Sequence, residues 1–311
     1  QAPGRPPGSR GVSGAALVGG YAADLAFGDP SRWHPVAGFG QVVARAEQKL
    51  YAPSRRRGAA VVGLLAGGAG LLAEAAARTG VGRARVLLVL TWAALGGRSL
   101  ILEGLRVAAA VQAGELEAAR AALPALVGRD TAGLDSSDIC RAAVESIAEN
   151  TADAVVGALL WASAAGAPGV AVYRAVNTLD AMLGHRSQRY ARFGWAAARL
   201  DDLVNWPVAR LGALLTVGCA SVVGGSPGGA WKVLRRDGAA HPSPNAGRME
   251  AAFAGALGVR LGGPVSYSGR RELRPVLGDG PAPDPAAVRQ AAALSLCVGI
   301  LAAALCAGAR R

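Results

Sequence analysis

The chain has 311 residues, of which 52% are hydrophobic, 17% charged and only 5% aromatic, with 44 glycines and a formal net charge of +12. A mean hydropathy of +0.30 excludes an ordinary soluble domain and reads as a membrane protein built of small-residue helices. The positive excess then belongs to loops that meet anionic headgroups, so no nucleic-acid partner is needed to explain it. The four cysteines lack CxxC spacing, and His34, His185 and His241 give no zinc pattern.

Six apolar stretches are near the ~20 residues that a bilayer core requires: 11–27, 58–78, 86–102, 154–173, 206–224 and 289–308. The fold class expected is therefore all-α: a polytopic integral membrane helical bundle, one domain over 1–311, with broken or re-entrant helices and cytoplasmic-facing amphipathic helices. Within it, 11–102 supplies the N-terminal spans and a basic loop, 103–270 the catalytic region and 289–308 the last span. The stretch 11–27 carries Asp24, 58–78 carries Glu74, and 154–173 is interrupted by Gly166-Ala167-Pro168-Gly169, a sequence tolerated at depth only when packed in protein.

Between the first two spans, 28–57 holds Arg32, Arg45, Lys49, Arg55, Arg56 and Arg57, which places it in the cytoplasm. The segment 103–130 has apolar positions at helical spacing and reads as a pair of amphipathic helices outside the bilayer core. The stretch 262–288 reads as a loop, and no strand-like alternation of useful length stands out.

Next come the carboxylates. Glu145, Glu149 and Asp153 follow one another at i, i+4 and i+8, one acidic stripe on a helix, with Asn150 beside it. Such a stripe suits Mg²⁺, which takes one or two carboxylates plus phosphate oxygens, and equally suits a solvated face. Asn177 and Asp180 share a helix face, and Asp201, Asp202 and Asn205 form another acidic and amide cluster beside an apolar segment. Ionisable groups in that setting point to a functional site or to tight interhelical hydrogen bonding. Further on, "HPSPNAG" (241–247) is a stiffened polar loop, and the Gly-rich stretch 254–269 has backbone amides that could approach phosphates.

Taken together, "DLAFGDP…HPV", "VESIAENTAD", "GAPGVAVYRAVNTLDAMLGH", "YARFGWAAARLDDLVNWPVARL" and "HPSPNAGRMEAAFAGALGVRLGG" resemble the CobD/CbiB cobalamin biosynthesis proteins, the adenosylcobinamide-phosphate synthases, from about residue 20 to 270. The resemblance implies a multi-pass enzyme of the inner (cytoplasmic) membrane whose active site faces the cytoplasm. It implies ATP, Mg²⁺ and a ligase reaction: adenosylcobyric acid joined by an amide bond to (R)-1-aminopropan-2-yl phosphate, or free aminopropanol, through an acyl phosphate. Homodimerisation and association with other membrane enzymes of the pathway fit the same picture.

Carried over residue by residue, the likeness implies catalytic roles for Glu149, Asp180 and Asp202 and metal binding by Glu145, Glu149, Asp153 and Asp201. It implies nucleotide, phosphate or corrinoid contacts for Asn150, Arg174, Asn177, His241, Ser243 and Asn245, with Asn205 beside the Asp201 pair and Arg260 as an anion clamp. The sequence departs from the family's look at Arg174 and Arg186, where lysine is expected, and at Arg248-Met249, Val265 and Ser268. Arginine keeps the charge but changes the hydrogen-bond geometry. A non-catalytic sensor or scaffold on the same fold, or a corrinoid carrier, is the competing class. Because ATP is cytoplasmic, 154–173 and 206–224 are expected to be broken, re-entrant or tucked into protein rather than both crossing as simple spans.

Overall fold

The computed structural model describes residues 8–29, 35–185, 187–267 and 269–310. Arg32, His34, Arg186 and Ser268 therefore lie outside the described residues. Among the described residues, five helical stretches are long and apolar enough to cross a membrane: Arg55–Ala77, Arg83–Gln112, Ser136–Leu183, Trp195–Val223 and Pro285–Gly308. This is a multi-pass, all-helical membrane protein with one small sheet.

The single domain expected over 1–311 holds two compact units. The first comprises residues 1–96, 157–205 and 302–311. It contains α1 (Gly8–Phe27), α2 (Pro35–Leu50), α3 (Arg55–Ala77) and α4 (Arg83–Ala94). Its core is a small-residue contact set, with Val43 from α2, Val61, Val62 and Ala66 from α3, and Ala175, Val176, Leu179 and Leu183 from a later helix.

The second unit, 97–156 and 206–301, begins with α5 (Gly97–Gln112), α6 (Leu116–Ala122) and α7 (Ser136–Asn150). The expected span 86–102 thus divides at Leu95, whose extended ψ of 161° ends α4. Asp135 caps α7 by accepting the N–H of Asp138 at 2.8 Å. After Asn150 the helix widens into a π-helical stretch, Thr151–Val156. Thr151 Oγ1 there donates to Ile147 O (2.6 Å) and shares a hydrogen bond with Ser295 Oγ (2.7 Å). Local π-helix is found disproportionately at functional sites.

Helix α8 (Gly157–Leu183) answers the question raised by the Gly-Ala-Pro-Gly interruption. Gly166 has φ +69° and ψ −151°, a conformation open to glycine alone, and the helix breaks there. Two contacts show that the break is a reversal. Gly169 lies against the carbonyl of Trp161, and Gly157 lies against the Tyr173 hydroxyl, so close that neither glycine could carry a Cβ. In a straight helix, residues 157 and 173 would be ~24 Å apart. The pairs 161/169 and 157/173 are both centred on residue 165, so α8 is an antiparallel helical hairpin with its tip at Ala165–Gly166. Its second arm, 167–183, is ~25 Å long at 1.5 Å per residue, close to the thickness of a hydrocarbon core.

The break offered as one possibility for 206–224 is not seen. After the short α9 (Tyr190–Phe193), α10 (Trp195–Cys219) runs through Pro207 without a break and ends in a 3-10 turn, Ala220–Val223. Trp161 Nε1 donates to Val204 O (3.1 Å), three residues before the proline.

The remaining elements are α11 (Pro227–Asp237), α12 (Ala246–Leu257), β1 (Leu261–Tyr267), β2 (Arg270–Leu277) and α13 (Pro285–Gly308). Most of the first half of the loop expected at 262–288 is thus an antiparallel ribbon, with Gly263 opposite Arg274 and Val265 opposite Glu272, and the Gly-rich stretch 254–269 divides between the end of α12 and β1. Glycine and arginine in place of alternating apolar residues hid these strands from a periodicity reading.

Candidate active site

The second unit gathers charge around the start of β1. Helix α7 is buried on nearly every face from Ile139 to Ala148, so its polar side chains must find partners. Glu145 is 2% exposed; its Oε2 meets Arg129 Nη2 at 2.5 Å and its Oε1 accepts the Gly262 N–H at 2.8 Å. One turn earlier, Arg141 donates to Gly262 O (2.6 Å) and Pro264 O (2.9 Å). Two side chains at i, i+4 therefore grip both the backbone donor and the backbone acceptor of one residue, Gly262. Gly262 has φ +82° and lies against Pro275 O, so glycine is required there on two counts.

Glu149, next along the stripe, is exposed, and Asp153 is half-buried in the π-helical stretch. Asn150 turns back on its own helix, donating to Ser146 O at 3.0 Å and Ser146 Oγ at 3.1 Å.

From the other side comes α12, also buried on most faces, with Glu250 only 1% exposed. Neither Glu250 oxygen has a hydrogen-bond partner. Oε1 faces His241 Nε2 and Arg274 Nη1, each at 4.0 Å. Burial first, then the charges of Glu145 and Glu149, push the Glu250 carboxyl up to about 8, against the smaller opposing pull of Arg274 and Arg129.

The "HPSPNAG" motif builds the roof of this site. His241 Nδ1 accepts the Ser243 N–H at 3.0 Å, which leaves the proton of a neutral ring on Nε2, the atom facing Glu250. Ser243 Oγ accepts the N–H groups of Asn245 (3.3 Å) and Ala246 (3.2 Å) and so fixes the turn that leads into α12. Gly247 has no side chain because His241 Cβ fills that space. Asn245 Oδ1 accepts from Arg210 Nη1 at 3.4 Å.

The structure does not put Arg260 with this cluster. Its side chain is exposed, and its N–H donates to Pro281 O (2.9 Å). Arg129 and Arg274 face the carboxylates instead. Arg274 is oriented by its 2.7 Å hydrogen bond to the Tyr267 hydroxyl.

The first unit gathers the other set. Asp201 feels the charges of Asp180 and Asp202 and hydrogen-bonds with Asn205 and Asn177. Asn205 Oδ1 accepts the Tyr173 hydroxyl at 2.8 Å, which leaves its amide nitrogen as the donor to Asp201. Asn177 Oδ1 also accepts from Arg174 Nη1 at 3.2 Å. Arg199 approaches Asp202 at 3.8 Å.

The expected metal ligands divide accordingly. Asp201 belongs to the first unit and Glu145, Glu149 and Asp153 to the second, and Glu145 has both oxygens engaged. Among the described residues, no group of three or more His, Cys, Asp or Glu side chains is disposed to hold a metal ion by itself. Glu250, Arg129 and Arg274 were missed from sequence. A lone carboxylate inside the apolar run "EAAFAGAL" was a usable signal for Glu250. The two arginines reach the site from distant segments, and no local spacing announces them.

Fold and site define a multi-pass helical membrane protein with a charged, carboxylate-rich centre. The family model described as CobD/Cbib protein matches residues 17–295. A cobalamin biosynthesis protein CobD of Mycobacterium tuberculosis is 54% identical over 289 residues, covering 92% of each chain. Proteins of the same name from Geobacter metallireducens and Chromobacterium violaceum are 44% and 42% identical, covering 86% and 91% of this chain and 87% and 95% of their own. The chain belongs to the CobD/CbiB family. No solved structure matches it.

Proposed function

We propose that this protein acts in cobalamin biosynthesis as an ATP- and Mg²⁺-dependent adenosylcobinamide-phosphate synthase. The substrates are adenosylcobyric acid and (R)-1-aminopropan-2-yl phosphate, joined at the inner membrane on its cytoplasmic side. The observation that carries the reading is Glu250, a buried carboxylate with two unpartnered oxygens, set among Glu145, Glu149, Arg129 and Arg274 in a CobD/CbiB membrane protein. The basic segment with Arg45, Lys49 and Arg55 to Arg57 supports the cytoplasmic orientation.

A corrin propionate is a poor acyl donor, so its carboxylate oxygen attacks the γ-phosphorus of ATP, releasing ADP; the amine then attacks the acyl carbon, releasing phosphate and a proton. Glu149 and Glu250 suit a Mg²⁺ that takes one or two carboxylates and completes its shell with phosphate oxygens. When bound, Mg²⁺ and ATP supply charge neutralisation and the phosphoryl group. The protein's own residues do the rest. Arg274 offsets phosphoryl charge, His241 Nε2 faces Glu250 from 4.0 Å, and Glu145 with Arg141 fixes the ribbon that presents Arg274. Taken by itself, the Asp201, Asp180 and Asp202 cluster of the first unit suits a bound cation.

The test is product formation by the purified protein with both substrates, ATP and Mg²⁺, followed by mass. Glu149→Gln and Glu250→Gln are each expected to lower turnover by about two orders of magnitude while leaving corrinoid binding intact. Wild-type binding of the corrinoid without turnover would overturn the reading in favour of a sensor or carrier.

A further inference from the structure

The first unit holds two adjoining cavities whose walls share Arg174 alone with the residues assigned to the ligation chemistry. One, of about 1150 Å³, is polar and has Arg78, Arg83, Arg85 and Arg310 in its wall against one carboxylate, Glu74. That carboxylate is engaged already, by Arg78 Nε at 2.8 Å and Arg83 Nη2 at 3.0 Å. Four guanidiniums against one glutamate leave the cavity strongly cationic.

Its position is as telling as its charge. The wall is formed by the turn joining the spans Arg55–Ala77 and Arg83–Gln112, by the hairpin tip at Gly166, and by Ala309 and Arg310 directly after the span Pro285–Gly308. All three lie at span ends, where headgroups meet water.

The second cavity, of about 460 Å³, is apolar and runs along α3, α4 and the second arm of α8, between side chains such as Ala69, Leu72, Val86, Val89 and Val170. It shares Val81 and Arg85 with the polar cavity, so the two adjoin. Leu72 and Val89 are 74% and 50% exposed, which opens the slot on the lipid side of the helices. Its volume lies within the ~300–1,000 Å³ of small-molecule pockets.

We propose that the two cavities form a seat for one anionic phospholipid, with its phosphate among Arg78, Arg85 and Arg310 and an acyl chain in the slot. A free anion would use the polar cavity and leave the slot empty. A neutral lipid would use the slot and leave the guanidiniums uncompensated. Only an amphiphile with an anionic head satisfies both.

Native mass spectrometry of the full-length protein, titrated with phosphatidylglycerol, phosphatidylcholine and inorganic phosphate, tests this. One phosphatidylglycerol per chain is expected, preferred over phosphatidylcholine about tenfold. Arg85→Gln should cut that preference about fivefold, and Val89→Trp, which fills the slot from its exposed side, should weaken both lipids. Both positions are solvent- or lipid-facing, and an unchanged thermal midpoint and elution volume will show that each variant is folded. Equal retention of the two lipids, an unaltered preference in folded Arg85→Gln, or displacement of phosphatidylglycerol by inorganic phosphate would each overturn the proposal.

Discussion

Arg129→Met puts the charge balance of the second unit to a direct test. The Arg129 and Glu145 side chains are 7% and 2% exposed and meet at 2.5 Å, so water neither screens the pair nor replaces a lost partner. Removing the guanidinium leaves Glu145 with the Gly262 N–H as its remaining partner. Breaking a buried pair from one side destabilises by ~3–5 kcal/mol, because the remaining charge is stranded. Glu145→Gln should be similarly harmful, since it strands Arg129. The double variant, Arg129→Met with Glu145→Gln, strands neither: glutamine keeps an acceptor for Gly262, and Arg141 still holds the Gly262 and Pro264 carbonyls. It should recover most of the loss, giving a coupling of ~2 kcal/mol or more. Reversible unfolding of all four proteins in mixed micelles gives the cycle. Additive single effects would refute the argument that Glu145 is held as one half of a buried pair.

Two further outcomes follow from the geometry. The Glu250 carboxyl titrates near 8 when folded against an ordinary 4.5, so the folded state holds the extra proton between those values. Stability should be fullest below 4.5 and fall by roughly 1.4 kcal/mol per pH unit towards 8; in a metal chelator the thermal midpoint of wild type should drop over this range while that of Glu250→Gln stays flat, and parallel curves would contradict it. The α8 hairpin predicts that a cysteine at Ala165, exposed at the tip, reacts with an impermeant thiol reagent from the face opposite to one at Ser187; a straight span over 154–173 would leave position 165 at mid-bilayer and unreactive from either face.

The helices were legible in the sequence because their signal is local. Apolar runs of span length and the broken Gly-Ala-Pro-Gly run needed only a window of ~20 residues. The reversal at Gly166 was foreseen in kind, since glycine and proline at depth demand a packed environment. What a window cannot see is where the chain goes afterwards, and α10 illustrates this: Pro207 is as strong a breaker in sequence as Pro168, yet its helix continues, while at Gly166, just before Pro168, the chain reverses. The ribbon 261–277 was missed for the opposite reason. Its strands are held partly by α7, through Arg141 and Glu145, and carry no apolar alternation of their own.

The same distinction divides the acidic stripe. Spacing made Glu145 and Glu149 equivalent, two carboxylates one turn apart on a helix, and both were expected to hold metal. Tertiary contacts make them different. Glu145 is spent on Arg129 and on the Gly262 peptide, whereas Glu149 is exposed and feels Glu250 across the site. The second carboxylate of the centre thus comes from α12, a helix about a hundred residues further on, and the first member of the stripe serves to hold the ribbon that carries Arg274. A helix entering an apolar span needs such an arrangement. A polar group buried on α7 is tolerable only if fully paired, and a carboxylate available to a substrate must be one that pairing has left open. Glu145 meets the first condition and Glu149 the second.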